Sequence, residues 1–216
     1  MRVVIAGGHG QIALRLTKVL ADQGDEVIGL VRNPDHVADI AAAGGTGVVI
    51  DLEQADEQAV VDVLAGADAA VFAAGAGPGS GNARKDTVDR GAAALFASAA
   101  ERSRVRRHVQ VGSMGADKAD EPGLDETFAI YLRAKKAAED DLRSRDLDWT
   151  ILRPGALVNT PGTGMIQLAD KTPRGEISRD DVALVLAALI PAKTSIGRTL
   201  ELISGETPLV AAVAAL

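Results

Sequence analysis

The chain opens Val3-Val4-Ile5-Ala6-Gly7-Gly8-His9-Gly10-Gln11-Ile12-Ala13, and this stretch decides the fold. A short β-branched run ends in a glycine turn, and a helical pattern begins near Gly10. Gly7 permits the tight turn, Gly10 lets a ligand approach the backbone, and Ala13 lets the helix pack closely on the strand. A helix starting here presents free amides and the positive end of its dipole, which together suit a phosphate group. The spacing is Gly-x-x-Gly-x-x-Ala rather than the Gly-x-Gly-x-x-Gly of many dehydrogenases. Strand–glycine–helix turns also occur as plain structure, so the turn gains its meaning from the rest of the chain.

Beyond the turn, strand and helix patterns alternate regularly. Residues 2–6, 26–31, 47–50, 68–73, 107–111 and 149–152 read as strands, apolar on both faces as expected when helices cover both sides of a parallel sheet. Helical patterns occupy 11–23, 34–43, 55–64, 87–102 and 126–145, with Gly24 and Gly44 placed as left-handed helix stops. Six alternations specify an α/β fold, a doubly wound parallel sheet flanked by helices, in one domain over 1–216. A later helix, 179–189, is announced by Ser178 with Asp181 three residues on, the spacing of a reciprocal capping box. A late strand at 199–203 and a terminal helix at 208–216 complete the series. Three connections are long: 75–86, 112–125 and 154–176. The first two leave the carboxyl ends of strands, where open α/β sheets bind ligands, and all three are expected to cover a substrate.

Composition narrows the function classes. The 216 residues are 47% hydrophobic and 25% charged, with a net charge of −7, which argues against a nucleic-acid surface. Only 2% are aromatic, too few for a module that stacks on bases. With 0 Cys there is no disulfide, thiol nucleophile or Cys-based metal site, and His9, His36 and His108 stand in unrelated contexts, so no metal is expected. No apolar run reaches the ~18 residues of a membrane span, and the first strand, starting at Arg2, leaves no room for a leader. A cytoplasmic protein is expected. The basic cluster Arg102, Arg104, Arg106, Arg107 reads as a solvated helix end, and Trp149 as a ring packed at the sheet edge.

Two further positions carry chemistry. The second strand ends in Leu30-Val31-Arg32-Asn33, where a site for NAD would place a carboxylate to accept the ribose hydroxyls. Arg32 offers a planar charged fork suited to a 2′-phosphate, which favours NADP(H) over NAD; the alternative is an arginine pointing into solvent. Asp51-Leu52, after the third strand, borders the adenine on this reading, or is a plain turn. Tyr131-Leu132-Arg133-Ala134-Lys135 puts the chain's only Tyr one helical turn from a Lys. A cation there favours the phenolate and brings the phenol toward proton transfer, although an exposed tyrosine beside Lys135-Lys136 has the same spacing.

Taken together, these motifs resemble the short-chain dehydrogenase/reductase superfamily, in particular its short atypical NAD(P)-binding members. The resemblance rests on AGGHGQIA at the start, LVRNP after the second strand and VDRGA at residues 88–92. HVQVGSMGA at 108–116, YLRAK, WTILRPGAL at 149–157 and ISRDDVA at 177–183 extend it over nearly the whole chain. It implies that Ser113 holds a substrate oxygen, Tyr131 gives or takes the proton and Lys135 binds the nicotinamide ribose. Ser113 as a simple turn residue is the alternative. Asp89 stands where the family usually has Asn, and its acceptor-only carboxylate cannot reproduce the amide's donor role in a water relay. Cofactor contacts are implied at Gly7, Gly8, His9, Gly10, Gln11, Ile12, Arg32, Asp51, Leu52, Ala74, Gly75 and Lys135, with Pro154-Gly155 as the nicotinamide-side loop. Arg153 before it reads as structural.

The activity implied is an NADP(H)-dependent oxidoreductase acting on a small carbonyl, quinone or flavin-like substrate, in a monomer or homodimer with no nucleic-acid or membrane partner. A cofactor-binding sensor without turnover is the alternative, and a sugar-nucleotide epimerase or dehydratase ranks third because the C-terminal part is short.

Overall fold

A computed structural model describes residues 1–77 and 81–216. β1 (Arg2–Ala6), α1 (Gln11–Asp22), β2 (Glu26–Val31), α2 (Val37–Ala42), β3 (Thr46–Val49), α3 (Glu57–Leu64) and β4 (Ala69–Phe72) form the first winding. Next, α4 (Asn82–Arg84) runs through a π-helical stretch (Lys85–Ala92) into α5 (Ala93–Arg102). The second winding is β5 (Arg107–Val111), α6 (Glu126–Arg143) and β6 (Asp148–Pro154). Then come β7 (Ala156–Val158), β8 (Met165–Ala169), β9 (Glu176–Ser178), α7 (Arg179–Leu189), β10 (Arg198–Ser204), β11 (Thr207–Pro208) and α8 (Leu209–Ala214).

The main sheet has the order β11-β8-β10-β6-β5-β4-β1-β2-β3, parallel from β3 through β10 and antiparallel at β8 and β11. Strand alternation divides the core between the two faces. Val3 and Ile5 pack with Leu16, Leu20 and Leu186 on one side, while Val4 and Ala6 pack with Leu64, Phe72, Phe96 and Leu142 on the other. Val3, Val4 and Ile5 are fully buried, each contributing about 1.5–3 kcal/mol by removal from water. The chain winds outward from β1 in one direction and from β4 in the other, so a crevice opens between their carboxyl ends.

Several expectations are corrected. The fourth helical segment starts at Asn82 rather than 87, so the 75–86 connection is shorter than it reads; residues 78–80 of it lie outside the described residues. The 154–176 stretch is not a bare loop, because β7 pairs with β9 and β8 joins the main sheet beside β10. The 112–125 connection keeps one short 3₁₀ turn at Ala116–Lys118. At α7 the reciprocal capping box does not form. Ser178 Oγ accepts from the Asp180 amide at 3.2 Å, while the Asp181 carboxylate takes the amides of Thr163 (3.1 Å) and Gly164 (2.8 Å). Asp180 likewise takes the Gly162 amide and Arg15, so the first turn of α7 anchors the segment before β8. Two donors from that segment satisfy Asp181 more fully than one serine amide could.

Trp149 is not at an edge, since β6 lies between β5 and β10; its half-buried ring sits under the Arg143 guanidinium at 6.0 Å. Within the basic cluster, Arg102 pairs with Glu57 and Arg106 with Asp146 and Asp148 near solvent, and Arg104 adopts φ 61° at the helix stop. Arg107 departs from the solvated reading. It turns inward and donates to the carbonyls of Leu189 and Ile190, to Asp148 O and to Ser195 Oγ, at 2.6–2.9 Å. It thereby satisfies carbonyls left open at the end of α7. Burial pushes its pKa down to about 10. Among the described residues, no helix is long and apolar enough to cross a membrane.

Candidate active site

The β1–α1 turn is shaped by close backbone approach. Gly7 has φ 77°, and a Cβ there would stand 2.6 Å from Ala74 Cα at the end of β4. Its carbonyl accepts the Gly10 amide at 2.8 Å, closing the turn. Helical bonding in α1 begins at Leu14 N→Gly10 O (2.9 Å), which leaves the amides of Gln11, Ile12 and Ala13 without intrahelical acceptors. Gly10 provides no side-chain cap, and α1 has no acidic residue in its first turn to compete with an anion. Gly8 has a different reason to be glycine. Its amide is taken by Leu30 O, and a Cβ would press on Gly29 and Ile40, so it serves the packing of β1's turn on β2.

A cleft of about 270 Å³ opens from this turn, lined by Gly7, His9, Gly10, Arg32, Asp51, Leu52, Ala74 and Gly75 among others. That volume is near the low end for small-molecule clefts, roughly 300–1,000 Å³. Three of its polar lining side chains carry no sequence motif that marks them as site groups: His36, Glu53 and Arg84. His36 stacks on His9 with ring centroids 3.6 Å apart, and His9 Nε2 lies 2.7 Å from Asp39 Oδ2. Glu53 binds Arg84 (2.8 Å) and the Thr87 hydroxyl (2.6 Å), which hold its carboxyl below the usual range. Glu53 follows directly on Asp51-Leu52, a proximity that could have flagged it; nothing local marks Arg84. Asp51 itself forms an Asx turn, accepting the Glu53 amide at 3.0 Å. Arg32 is 57% exposed with only a 3.5 Å contact to Glu53, and so remains available at the rim.

Toward β5 the floor becomes charged. Lys135 Nζ, on a side chain only 5% exposed, lies 3.1 Å from Asp89 Oδ1 and donates to Ala74 O (3.4 Å) and Val111 O (3.3 Å). Burial opposes this charge, but Tyr131 and Asp89, with Glu139 behind them, carry the Lys135 pKa upward. The ammonium also lies 5.9 Å from the Tyr131 ring centroid, so α6 does bring the two onto one face. Asp89 sits in the π-helical stretch, where an i→i+5 turn often marks a functional position. Its Oδ2 accepts the Ala76 amide at 3.3 Å, while Oδ1 meets Lys135 as an ion pair without hydrogen-bond geometry. Ser113, two residues beyond β5, is half-buried, and its hydroxyl makes only a 3.4 Å bond to Met114 O.

Pro154 and Gly155 sit differently from a free cofactor loop. Pro154 ends β6 and its carbonyl accepts the Met114 amide, while the Gly155 amide goes to Leu202 O. A side chain at Gly155 would collide with Gly175 O, so its glycine serves chain packing. Arg153 is structural, as its position suggested. Buried to 1% exposure, it binds Glu139 on α6 and both oxygens of Asp117 (2.6 and 2.8 Å). Asp117 also holds Lys171 at 3.0 Å, which reaches on to Glu201 at 3.2 Å. Arg153 first, and Lys171 after it, hold the Asp117 carboxyl well below the usual carboxylate range. This network ties the 112–125 segment to α6, β6 and the β8–β9 connection, and sequence order gave no sign of it.

Comparison with known proteins agrees with this geometry. A family model described as NAD(P)H-binding matches residues 7–193. A Bacillus subtilis (strain 168) protein named "Uncharacterized sugar epimerase YhfK" is 35% identical over 214 residues, 99% of either chain. A Bacillus halodurans protein with a provisional NAD-dependent epimerase/dehydratase name superposes at TM-score 0.92 and 34% identity, over 100% of both chains. The oxidoreductase ylbE from Lactococcus lactis superposes at 0.88 and 25% identity, over 100% of this chain and 96% of its own.

Proposed function

This chain belongs to the NAD(P)H-binding family, and from that premise we propose that it is an NADP(H)-dependent oxidoreductase of the atypical short-chain type. Its substrate is a small carbonyl, quinone or flavin-like molecule. The reading is carried by the uncapped start of α1, which faces the crevice between β1 and β4 with Arg32 at the rim, held only by its 3.5 Å contact to Glu53. When bound, the nicotinamide supplies or takes the hydride. The amides of Gln11 and Ile12 would hold the diphosphate, and Arg32, in loose contact with Glu53, would take the 2′-phosphate. Lys135, with its buried positive charge, would hold the nicotinamide ribose, and Asp89 both balances that charge and fixes the Ala76 amide. Tyr131 gives or takes the proton at its hydroxyl, and the Ser113 hydroxyl orients the substrate oxygen. We place the protein in the cytoplasm as a monomer or homodimer.

The test is titration of NADPH and NADH into wild type and Arg32→Ala. NADPH is expected to bind tighter than NADH and to lose about tenfold affinity in the variant, the value of roughly one charged contact, while NADH is unchanged. Equal affinities in both proteins overturn the NADP(H) preference, and no binding of either cofactor overturns the whole reading. In a carbonyl, quinone and flavin panel, unchanged turnover by Tyr131→Phe removes the tyrosine's role without removing the reductase.

A second reading, a sugar epimerase, is favoured by the name of the Bacillus subtilis relative. Against it, beyond β6 only the two-stranded sheet β7–β9 stands apart from the main sheet among the described residues, since β8, β10 and β11 join that sheet. Interconversion of a nucleotide sugar without net change in NADPH absorbance would decide for the epimerase.

A further inference from the structure

Five side chains of this protein carry a six-membered carbon ring: three Phe, one Tyr and one Trp. Phe72 and Phe96 are buried against each other at 6.1 Å, and Trp149 is half-buried under Arg143. The remaining two stand together at the start of α6. Phe128 is 45% exposed, and its ring lies 6.0 Å from that of Tyr131, tilted by 26°. Positions 128, 131 and 135 share one helix face, so the series runs from an exposed ring, through the tyrosine, to the buried ammonium. This turn of α6 sits at the end of the 112–125 connection, which leaves the carboxyl end of β5, the side of the sheet on which the cofactor turn opens.

From this placement we propose that Phe128 and Tyr131 form an aromatic shelf that binds a planar, conjugated substrate by stacking. The proposal rests on the reductase reading and sharpens it, selecting a quinone- or isoalloxazine-like ring over an aliphatic carbonyl or a sugar. Phe128 leaves nearly half of its surface in water, whereas Phe72 and Phe96 are sealed in the core. Two polar groups next to it are already engaged. The Asp125 carboxylate caps the Phe128 amide at 2.9 Å, and Lys85 Nζ donates to Thr127 O at 3.3 Å. The shelf therefore presents ring faces, with the tyrosine hydroxyl as its polar group. Near-parallel, offset rings suit a flat π-system, whereas a sugar needs several hydrogen-bonding partners for its hydroxyls.

The experiment uses riboflavin and 1,4-naphthoquinone as planar probes and cyclohexanone as the non-planar one. Binding is read from quenching of riboflavin fluorescence and from competition by the other two, with NADP⁺ present so that no turnover is needed. Wild type is expected to bind riboflavin saturably, with naphthoquinone competing and cyclohexanone not. Phe128→Leu, which keeps apolar bulk without a ring face, is expected to raise the riboflavin Kd about five- to tenfold, and Phe128→Trp to restore it. NADPH affinity is expected to be the same in all three proteins, which reports that the cofactor half is folded. Equal riboflavin Kd values in wild type and Phe128→Leu overturn the shelf. So does intact NADPH binding without saturable riboflavin binding, and so does competition by cyclohexanone as strong as by naphthoquinone. Loss of NADPH binding in wild type is instead the failure of the reductase reading.

Discussion

Around β1 the crevice wall is made by bringing backbone against backbone. Gly7 lies on Ala74, Gly8 on Gly29, and the first amides of α1 are left open. Around β6, in the same sheet, the wall is held by charge, with Arg153 and Glu139 nearly sealed from water and the chain of ion pairs running through Asp117 and Lys171 to Glu201. The first arrangement offers donors to a ligand, whereas the second consumes its donors internally. The β1 side is thus a donor-bearing surface fixed by sterics, and the β6 side a brace that sets where the segment after Ser113 lies. A glycine turn is rigid only while nothing enlarges it, and a buried ion pair is stable only while both partners remain.

The largest effect is expected on the braced side. Arg153→Met leaves Glu139, with 0% side-chain exposure, facing only Arg143, and should cost about 3–5 kcal/mol in urea unfolding while NADPH affinity is retained. A parallel fall in NADPH affinity would show that the two sides are not separate. Gly7→Ala is next. The positive φ and the contact with Ala74 should cost about 2–4 kcal/mol, and cofactor binding should fall with stability because the amides move. Full NADPH binding in a destabilised Gly7→Ala would reduce the turn to a structural feature.

A smaller effect concerns pH. His108, fully buried on β5 beside Phe96, is pushed down to about 3 by burial and by the charges of Arg107 and Arg145. The folded protein keeps this ring neutral, but the unfolded chain takes a proton below roughly pH 6.5. Its contribution is therefore full above pH 6.5 and is lost as pH falls toward 3, at about 1.4 kcal/mol per unit. Between pH 7.5 and 5.5, wild type should lose about 1.4 kcal/mol more than His108→Leu by urea titration. Parallel pH curves for the two proteins would reject that account.

The sequence makes the two windings legible because short continuous apolar runs and glycine stops are local signals. It also places Tyr131 and Lys135 correctly on one face, since helical spacing alone decides that. Legibility fails where partners are distant. β8 is a strand because β10 lies beside it, and Arg107 and Arg153 are buried because acceptors come from α7, α6 and the 112–125 segment. Glycines carry a second ambiguity. Gly8 and Gly155 read as ligand contacts, and the structure adds a packing reason for each to be glycine that only the neighbouring backbone reveals. Ser178 and Asp181 have the right spacing for a mutual cap, but the preceding loop offers the carboxylate better donors.

One margin of the sheet ends in β11, only two residues long, and one of them, Pro208, lacks an amide hydrogen. That margin offers almost nothing for a foreign chain to zip onto. The opposite margin is β3, four residues with Val49 51% exposed and no proline. Any tendency of this protein to associate by strand addition therefore has its template at Thr46–Val49, where a single lysine in place of Val49 would blunt it.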